Sequence, residues 1–190
     1  MTKIAIFASG SGTNAKNLLQ HYTHTNVTIV RIYTNNAQAG VISIANEYSI
    51  PVCVFSKTDL YESISILNQL QADDVEYIVL AGFLLLMPTN IIKAYQQRII
   101  NIHPALLPNY GGKGMYGMHV HRAVVQNKES KTGITIHLVD EIYDNGTILF
   151  QATCDVLPAD TPEIVADKVH ALEYEHFPRV IQEYIVSLQK

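Results

Sequence analysis

The sequence has no tryptophan, only two cysteines, and charged side chains at just 16% of its 190 positions. Cys53 and Cys154 are isolated, so they form neither a disulfide framework nor a zinc-ligand pattern, and we expect reduced thiols. The longest apolar run, residues 78–87, is far shorter than the roughly 20 residues that a membrane-spanning helix needs. The first residues also lack the pattern of a signal peptide, so we expect a cytoplasmic protein.

An excess of basic residues is absent too, because the formal net charge is -4. Proteins that bind nucleic acid usually carry a basic surface that neutralises phosphates. We therefore expect small-molecule substrates, with neither a nucleic-acid nor a membrane partner. The sequence leaves the assembly open between a monomer and a homodimer.

Hydrophobic residues make up 48% of the chain, and in the first half they alternate between strand-like and helix-like patterns. Continuous apolar strands with helices between them predict a parallel sheet that is covered on both faces. The predicted strands are 3–8, 27–34, 52–55 and 75–81, and the predicted helices are 14–22, 37–48 and one that Asp59 caps and that continues through Leu70.

The second half has a different pattern. A strand at 98–102 is followed by a glycine-rich stretch, a helix near 121–126, two alternating runs at 132–139 and 147–156, and a long helix at 163–188. The alternating runs predict antiparallel strands. We expect a Rossmann-like open α/β sheet in a single domain, residues 1–190. Its phosphate- or nucleotide-binding half is about 1–100 and its catalytic half about 101–190.

A glycine-rich turn, Ser9 to Asn14, connects the first strand to the first helix. Glycine lets the backbone turn sharply, and the free N–H groups of a helix N-terminus bind phosphate, so Gly12, Thr13 and Asn14 are predicted to hold one. A dinucleotide site is the alternative, but it expects an acidic residue after the second strand. This chain has Asn35 there.

Asn101 and His103 alternate at the end of a predicted strand, so their side chains point the same way. Open α/β sheets bind ligands at the carboxyl ends of their strands. Asp144 lies in a turn between the two later strands. A carboxylate near His103 would orient the imidazole and raise its pKa.

These groups suit acyl transfer to an amine without a covalent enzyme nucleophile. Asn101 and the His103 imidazolium can donate to the oxyanion, and His103 with a water can move the proton. Two other interpretations remain. A non-enzymatic nucleotide-binding module explains only the glycine-rich turn, and a zinc hydrolase would need a third ligand beside His119 and His121. We predict no metal.

Four segments of the chain resemble one known family. These are Ser9–Asn14, Leu80–Phe83, Asn101–Pro108 and His137–Asp144, and together they resemble the phosphoribosylglycinamide formyltransferases. The resemblance implies transfer of the formyl group of 10-formyltetrahydrofolate to the amine of N1-(5-phosphoribosyl)glycinamide, in de novo purine biosynthesis. The products are N-formylglycinamide ribonucleotide and tetrahydrofolate. Transfer to another amine, such as an amino-sugar nucleotide, is the alternative.

The resemblance also implies roles for individual residues. His103 is the general acid, Asp144 raises its pKa, and Glu173 joins the glycine-rich turn in binding the ribonucleotide. His137 and His119 have supporting roles. The segment Asn109–Met118 is longer and richer in glycine than the family's turn, so no roles are carried over there. The implied catalytic residues are Asn101, His103 and Asp144, and the implied folate-binding residues are Leu84, Leu85, Leu86, Met87, Asn101, Asp140, Glu141, Ile142, Tyr143 and Asp144.

Overall fold

Four parallel strands organise the first hundred residues of the computed structural model, which describes residues 1–188. The strands lie in the order β3-β2-β1-β4. Residues Met1–Ile100 form one compact unit, and Asn101–Lys190 form a second. The elements of the first unit are β1 (Thr2–Phe7), α1 (Thr13–Tyr22), β2 (Val27–Thr34), α2 (Val41–Glu47), β3 (Val52–Val54), α3 (Lys57–Tyr61), α4 (Ser65–Ala72), β4 (Tyr77–Leu80) and α5 (Thr89–Ala94).

Strand β1 lies at the centre of the first unit's core. Its residues Ile4 to Phe7 are completely buried, and the Phe7 ring stacks on Tyr33 of β2 with 4.6 Å between the ring centroids. Every side chain of β4 is buried as well. Strands that bury successive side chains must be covered on both faces, as the apolar runs predicted.

Strand β5 (Ile99–His103) begins at the end of the first unit and continues into the second. In the second unit the strand order is β5-β6-β7, and β6 pairs with β7 in antiparallel orientation. The prediction of parallel strands followed by antiparallel ones is therefore confirmed. The remaining elements are α6 (Met118–Gln126), β6 (Lys131–Leu138), β7 (Ile148–Asp155) and α7 (Pro162–Ser187).

The β6–β7 pairing is regular up to Ile136, and its register then shifts at His137. A bulge of this kind turns the side chain that follows it and often lies next to a functional site. His137 is 2% exposed, so the shift directs an imidazole into the interior of the unit.

The prediction of one helix from Asp59 through Leu70 is wrong. Ser56 caps α3 instead: its hydroxyl accepts from the Asp59 N–H at 3.1 Å, and the Asp59 carboxylate accepts from the Ser56 N–H at 2.8 Å. This reciprocal capping box makes Asp59 the third residue of a short helix. A second helix, α4, begins at Ser65, whose N–H donates to the Ser63 hydroxyl.

Helix α2 also begins later than the expected residue 37. The Asn36 side chain accepts from the Gln38 N–H at 2.9 Å, and the Asn36 carbonyl accepts from the Ala39 N–H at 3.0 Å. Asparagine commonly forms such turns. They hold residues 36–39 outside the helix, which then starts at Val41.

No helix among residues 1–188 is both long enough and apolar enough to cross a lipid bilayer.

Gly133 of β6 provides a test of this packing. A Cβ built at Gly133 would overlap the Ala152 carbonyl of β7 and lie 3.0 Å from a Leu106 methyl group. We expect Gly133→Ala to lower the free energy of unfolding by about 1–3 kcal/mol, the usual range for overpacking. Thermal unfolding with Gly10→Ala as control measures this, since a Cβ at Gly10 meets nothing within 4 Å. Equal melting temperatures for the two variants would contradict the close approach of β6 and β7 at Gly133.

Candidate active site

Strand β5 places Asn101 and His103 on the same side of its carboxyl end, with one residue between them. The His103 imidazole is almost completely buried, and its Nδ1 lies 3.5 Å from Oδ2 of Asp144, whose own side chain is 12% exposed. His103 and Asp144 are 41 positions apart in the sequence. The second unit thus brings an imidazole and a carboxylate together largely out of water.

The other ring nitrogen of His103, Nε2, donates to the Tyr110 carbonyl at 2.7 Å. Burial is the largest influence on the His103 pKa and lowers it below the usual 6.5, whereas the Asp144 charge and the Tyr110 carbonyl raise it. Asp144 therefore acts in the predicted direction, but the net shift is downward. Burial of the cation therefore outweighs the effect of the carboxylate in the free protein.

Asp144 is held in a left-handed backbone conformation, with φ 55°. Burial raises the pKa of its carboxyl group, but His137, His103 and the Gly112 N–H outweigh burial and lower it. The Gly112 N–H donates to Oδ2 at 2.8 Å. His137 Nε2 is 3.7 Å from Oδ1, which is too long for a hydrogen bond. Asp144 is therefore a carboxylate at neutral pH.

The bulge residue His137 orients Asn101. The Asn101 Nδ2 amide group lies 3.0 Å from His137 Nε2, and His137 Nδ1 lies 2.8 Å from the Leu138 carbonyl. An amide nitrogen only donates and a carbonyl only accepts, so neutral His137 carries its proton on Nδ1. One Asn101 N–H is used in this contact, and the second is available for a ligand.

A buried threonine fixes the chain that follows His103. The Thr135 hydroxyl donates to the Ala105 carbonyl at 2.7 Å and accepts from the Leu107 N–H at 2.9 Å. The Gln151 side-chain amide adds bonds to the same hydroxyl and to the Leu107 carbonyl. Because these bonds cross from β6 and β7 to the segment after β5, they hold the carboxyl end of β5 in place.

The predicted phosphate turn lies in the first unit. Gly12 is the N-cap of α1 with φ 80°, and a Cβ there would come within 2.7 Å of Val41. Thr13 is exposed, Asn14 is half-buried, and the first turn of α1 has no acidic residue. A helix N-terminus whose first turn has no acidic residue is suited to an anion.

Ser9 connects this turn to its neighbours. The Ser9 hydroxyl donates to the Asn35 side-chain oxygen at 2.6 Å and accepts from the Leu84 N–H at 3.1 Å. Asn35 occupies the position where a dinucleotide-binding fold would have an acidic residue. Its side chain instead fixes the turn.

The two predicted folate segments lie in different units. In the first, Leu84 is exposed, Leu85 and Leu86 are half-buried, and Met87 is buried. In the second, the Asp140 carboxylate accepts from the Ile142 N–H and from the Asn145 side chain. Asp140 therefore holds this segment in a turn through its two hydrogen bonds. Three side chains of the turn are exposed to solvent: Glu141, Ile142 and Tyr143.

The remaining predicted residues are on the helices of the second unit. Glu173 of α7 is only 6% exposed, which is unusual for a carboxylate. His119 of α6 is exposed and its ring contacts Tyr116. His121 is buried, and burial followed by the charges of His170 and His103 lowers its pKa to about 4. Within residues 1–188, no three His, Cys, Asp or Glu side chains are grouped as metal ligands.

Sequence reasoning missed the backbone contacts of the site. The Tyr110 carbonyl and the Gly112 N–H reach His103 and Asp144, but a main-chain group has no signature in the residue types. The only available signal was the glycine-rich composition of the segment. Thr135 was also missed, because a threonine on a strand usually indicates ordinary sheet packing.

Comparison with known proteins gives consistent matches over nearly the whole chain. Residues 2–181 match the family model for formyl transferases. The phosphoribosylglycinamide formyltransferase of Bacillus subtilis (strain 168) is 33% identical over 97% of this chain and 95% of its own length. A chloroplastic enzyme of the same name from Arabidopsis thaliana is 38% identical over 94% of this chain.

The chain spans 64% of the Arabidopsis thaliana protein and 60% of a similar one from Vigna unguiculata. Among solved structures, the phosphoribosylglycinamide formyltransferase from Bacillus halodurans has a TM-score of 0.87 and 32% identity, covering 96% of this chain and 94% of that one. The chain therefore belongs to the formyl transferase family, as a relative of its phosphoribosylglycinamide formyltransferases.

Proposed function

We propose that this protein transfers the formyl group of 10-formyltetrahydrofolate to the amine of N1-(5-phosphoribosyl)glycinamide, in de novo purine biosynthesis. The observation that carries the proposal is the cluster of Asn101, His103, His137 and Asp144 at the ends of β5 and β6. It combines an amide donor, a proton carrier and a carboxylate, which acyl transfer to an amine requires. Family membership supplies the formyl chemistry.

The glycine-rich turn supports a phosphorylated acceptor. We assign the acceptor's phosphate to Gly12, Thr13 and Asn14, because α1 begins there, its positive dipole end favours an anion, and its first turn has no acidic residue. Glu173 is assigned to the same substrate, since a buried carboxylate is suited to accept from hydroxyl or amine groups.

The folate co-substrate is assigned to apolar and turn residues. Exposed or half-buried leucines offer contact area for a flat heteroaromatic ring, and the 140–144 turn offers carbonyl and carboxylate acceptors. We propose Leu84, Leu85, Leu86, Met87, Asn101, Asp140, Glu141, Ile142, Tyr143 and Asp144 as this set, with His137 and His119 in supporting roles.

In the first step, the acceptor amine attacks the formyl carbon and a C–N bond forms. The carbonyl oxygen becomes an oxyanion, to which Asn101 donates the N–H that His137 does not use. His103 is largely neutral before the reaction because burial lowers its pKa, so it can accept a proton as the attacking amine becomes positive.

In the second step, the bond between the formyl carbon and N10 of the folate breaks. His103, now an imidazolium, is stabilised by the Asp144 carboxylate and gives its proton to the departing nitrogen. The products are N-formylglycinamide ribonucleotide and tetrahydrofolate, and no bond to the enzyme forms. In each turnover, His103 therefore takes one proton from the attacking amine and gives one proton to N10 of the folate, while Asp144 stabilises the imidazolium between the two steps.

Several expectations remain proposals. We propose a cytoplasmic enzyme of small-molecule substrates, monomeric or homodimeric, that needs no metal and has neither nucleic-acid nor membrane partners. The division of a single domain into a phosphate-binding part, about 1–100, and a catalytic, folate-binding part, about 101–190, also stays a prediction.

A formyl-transfer assay tests the proposed function. Loss of the formyl group from 10-formyltetrahydrofolate is followed with and without the phosphoribosylglycinamide acceptor. We expect loss only when the acceptor is present. Loss without the acceptor would identify a deformylase, and no loss in either mixture would point to a different amine such as an amino-sugar nucleotide.

We expect His103→Ala to lower kcat by about 10²–10⁴-fold, the range for losing a general acid–base group. The substrate affinities should change little, because the imidazole contributes mainly to the transition state. Steady-state kinetics for both substrates measures this, with His24→Ala, an exposed histidine of the first unit, as control. Turnover close to that of the parent protein would remove His103 from the mechanism.

We expect Asn14→Ala to weaken acceptor binding by about 10- to 100-fold, since a hydrogen bond to a charged group contributes about 1.5–3 kcal/mol. The KM for the acceptor should rise while kcat stays within about threefold. Asn68→Ala is the matched control, because Asn68 is an exposed asparagine on α4. An unchanged KM would place the phosphate elsewhere.

We expect Asp144→Asn to lower the pKa of His103 further below 6.5. The Asp144 charge raises that pKa, so its removal leaves burial unopposed by this carboxylate. An NMR titration of the His103 ring measures the change, and Asp167→Asn removes an exposed carboxylate of α7 for comparison. A His103 pKa that rises or stays constant in Asp144→Asn would contradict the pairing.

A further inference from the structure

We infer that Tyr110 is a positioning residue that determines which nitrogen of His103 carries the catalytic proton. Its main-chain carbonyl binds His103 Nε2, and its side-chain hydroxyl anchors the segment that presents this carbonyl. The inference rests on the proposed formyl transfer and adds to it a specific proton-carrying atom, Nδ1.

The contact with the carbonyl fixes the tautomer of His103. A carbonyl oxygen only accepts, so Nε2 carries a hydrogen in both the neutral and the charged ring. The proton gained or lost must then be on Nδ1, the nitrogen that lies 3.5 Å from the Asp144 carboxylate. This is the arrangement by which a hydrogen bond at one ring nitrogen sets the chemistry of the other.

The same segment also holds Asp144. The Gly112 N–H donates to Asp144 Oδ2, and a Cβ at Gly111 would come within 2.6 Å of a Leu107 methyl group and 3.3 Å of the Asp144 Cβ. Tyr110 and Gly112, two residues of one segment, therefore contact the two members of the His103–Asp144 pair, and Gly111 between them leaves no room for a side chain. Movement of this segment would change both partners together.

The Tyr110 side chain keeps the segment in place. Its hydroxyl donates to Glu129 Oε1 at 2.7 Å and accepts from the Asn127 side-chain amide at 2.9 Å. Asn127 and Glu129 directly follow α6, so the anchor is attached to a helix end. Two bonds on one hydroxyl fix the position of the ring and, through it, of the main chain.

The backbone of Tyr110 shows why an anchor is required. Tyr110 has φ 57°, a left-handed conformation that tyrosine rarely adopts. Such a residue persists only when its surroundings hold it there. The conformation directs the carbonyl at His103, so we ascribe its maintenance to the two side-chain bonds.

Tyr110→Phe tests the inference because it removes only the hydroxyl. In the parent protein, ¹⁵N NMR of the neutral His103 ring should show the proton on Nε2. In Tyr110→Phe we expect a mixture of tautomers, a lower His103 pKa, and kcat reduced about tenfold with KM changed less than about twofold. Tyr48→Phe is the matched control, since Tyr48 directly follows α2 in the first unit.

Two substitutions of the exposed Glu129 test the anchor without altering the tyrosine. Glu129→Gln keeps an acceptor oxygen for the hydroxyl and should retain nearly full kcat, whereas Glu129→Ala should lose part of it and shift the His103 pKa in the same direction as Tyr110→Phe. A purely structural role would lower the melting temperature without moving the tautomer or the pKa.

The NMR measurements separate failure of this inference from failure of the proposed function, because they need no substrate. A neutral His103 protonated on Nδ1 in the parent protein, or a Tyr110→Phe variant with unchanged tautomer, pKa and kcat, would overturn the inference even if formyl transfer is observed. Absence of formyl transfer by the parent protein would overturn the proposed function and leave the assignment of the tautomer intact.

Discussion

The approach of a buried imidazole to a largely buried carboxylate, His103 to Asp144, is the constraint on which the rest of the second unit depends. With side-chain exposures of 4% and 12%, neither group is well solvated by water. Burial lowers the His103 pKa while the carboxylate raises it, so the two protonation states are kept closer in free energy than burial alone would allow.

Local features of the chain supply what this pair needs. The Thr135 hydroxyl holds the segment after β5. The bulge at His137 turns a second imidazole towards Asn101. The Gly112 N–H donates to the Asp144 carboxylate and stabilises its charge. Each contact is made by a group whose hydrogen-bonding capacity would otherwise be unsatisfied in a buried site. The site is therefore preorganised by the sheet and by one glycine-rich segment, as electrostatic catalysis requires.

The sequence predicted those parts of the fold that depend on local pattern. The apolar run 3–8 corresponds to β1, and the alternating run 132–139 corresponds to β6. A strand buried on both faces has a continuous apolar sequence, whereas a strand buried on one face alternates between apolar and polar residues. The prediction of a helix that begins at Asp59 was wrong, because Ser56 is the N-cap and Asp59 completes its capping box from inside the helix. Competing caps a few residues apart cannot be ranked from residue types alone.

Within the site, side chains were more predictable than backbone. Asn101, His103 and Asp144 were selected because their residue types suit the chemistry, and the structure brings His103 and Asp144 within 3.5 Å. The Tyr110 carbonyl escaped prediction because every residue has one, and only the fold determines where it points. The net direction of the His103 pKa could not be predicted from the sequence, since desolvation depends on the packing around the ring.

The most direct test of the central claim, that His103 and Asp144 act as one unit, is a double-mutant cycle on kcat/KM for formyl transfer. The cycle compares His103→Ala, Asp144→Ala and the double variant with the parent protein. Residues that act together give strongly non-additive losses, so the double variant should be about as slow as the slower single variant. A double variant whose loss equals the product of the two single losses would show that the groups act independently, and would contradict the account.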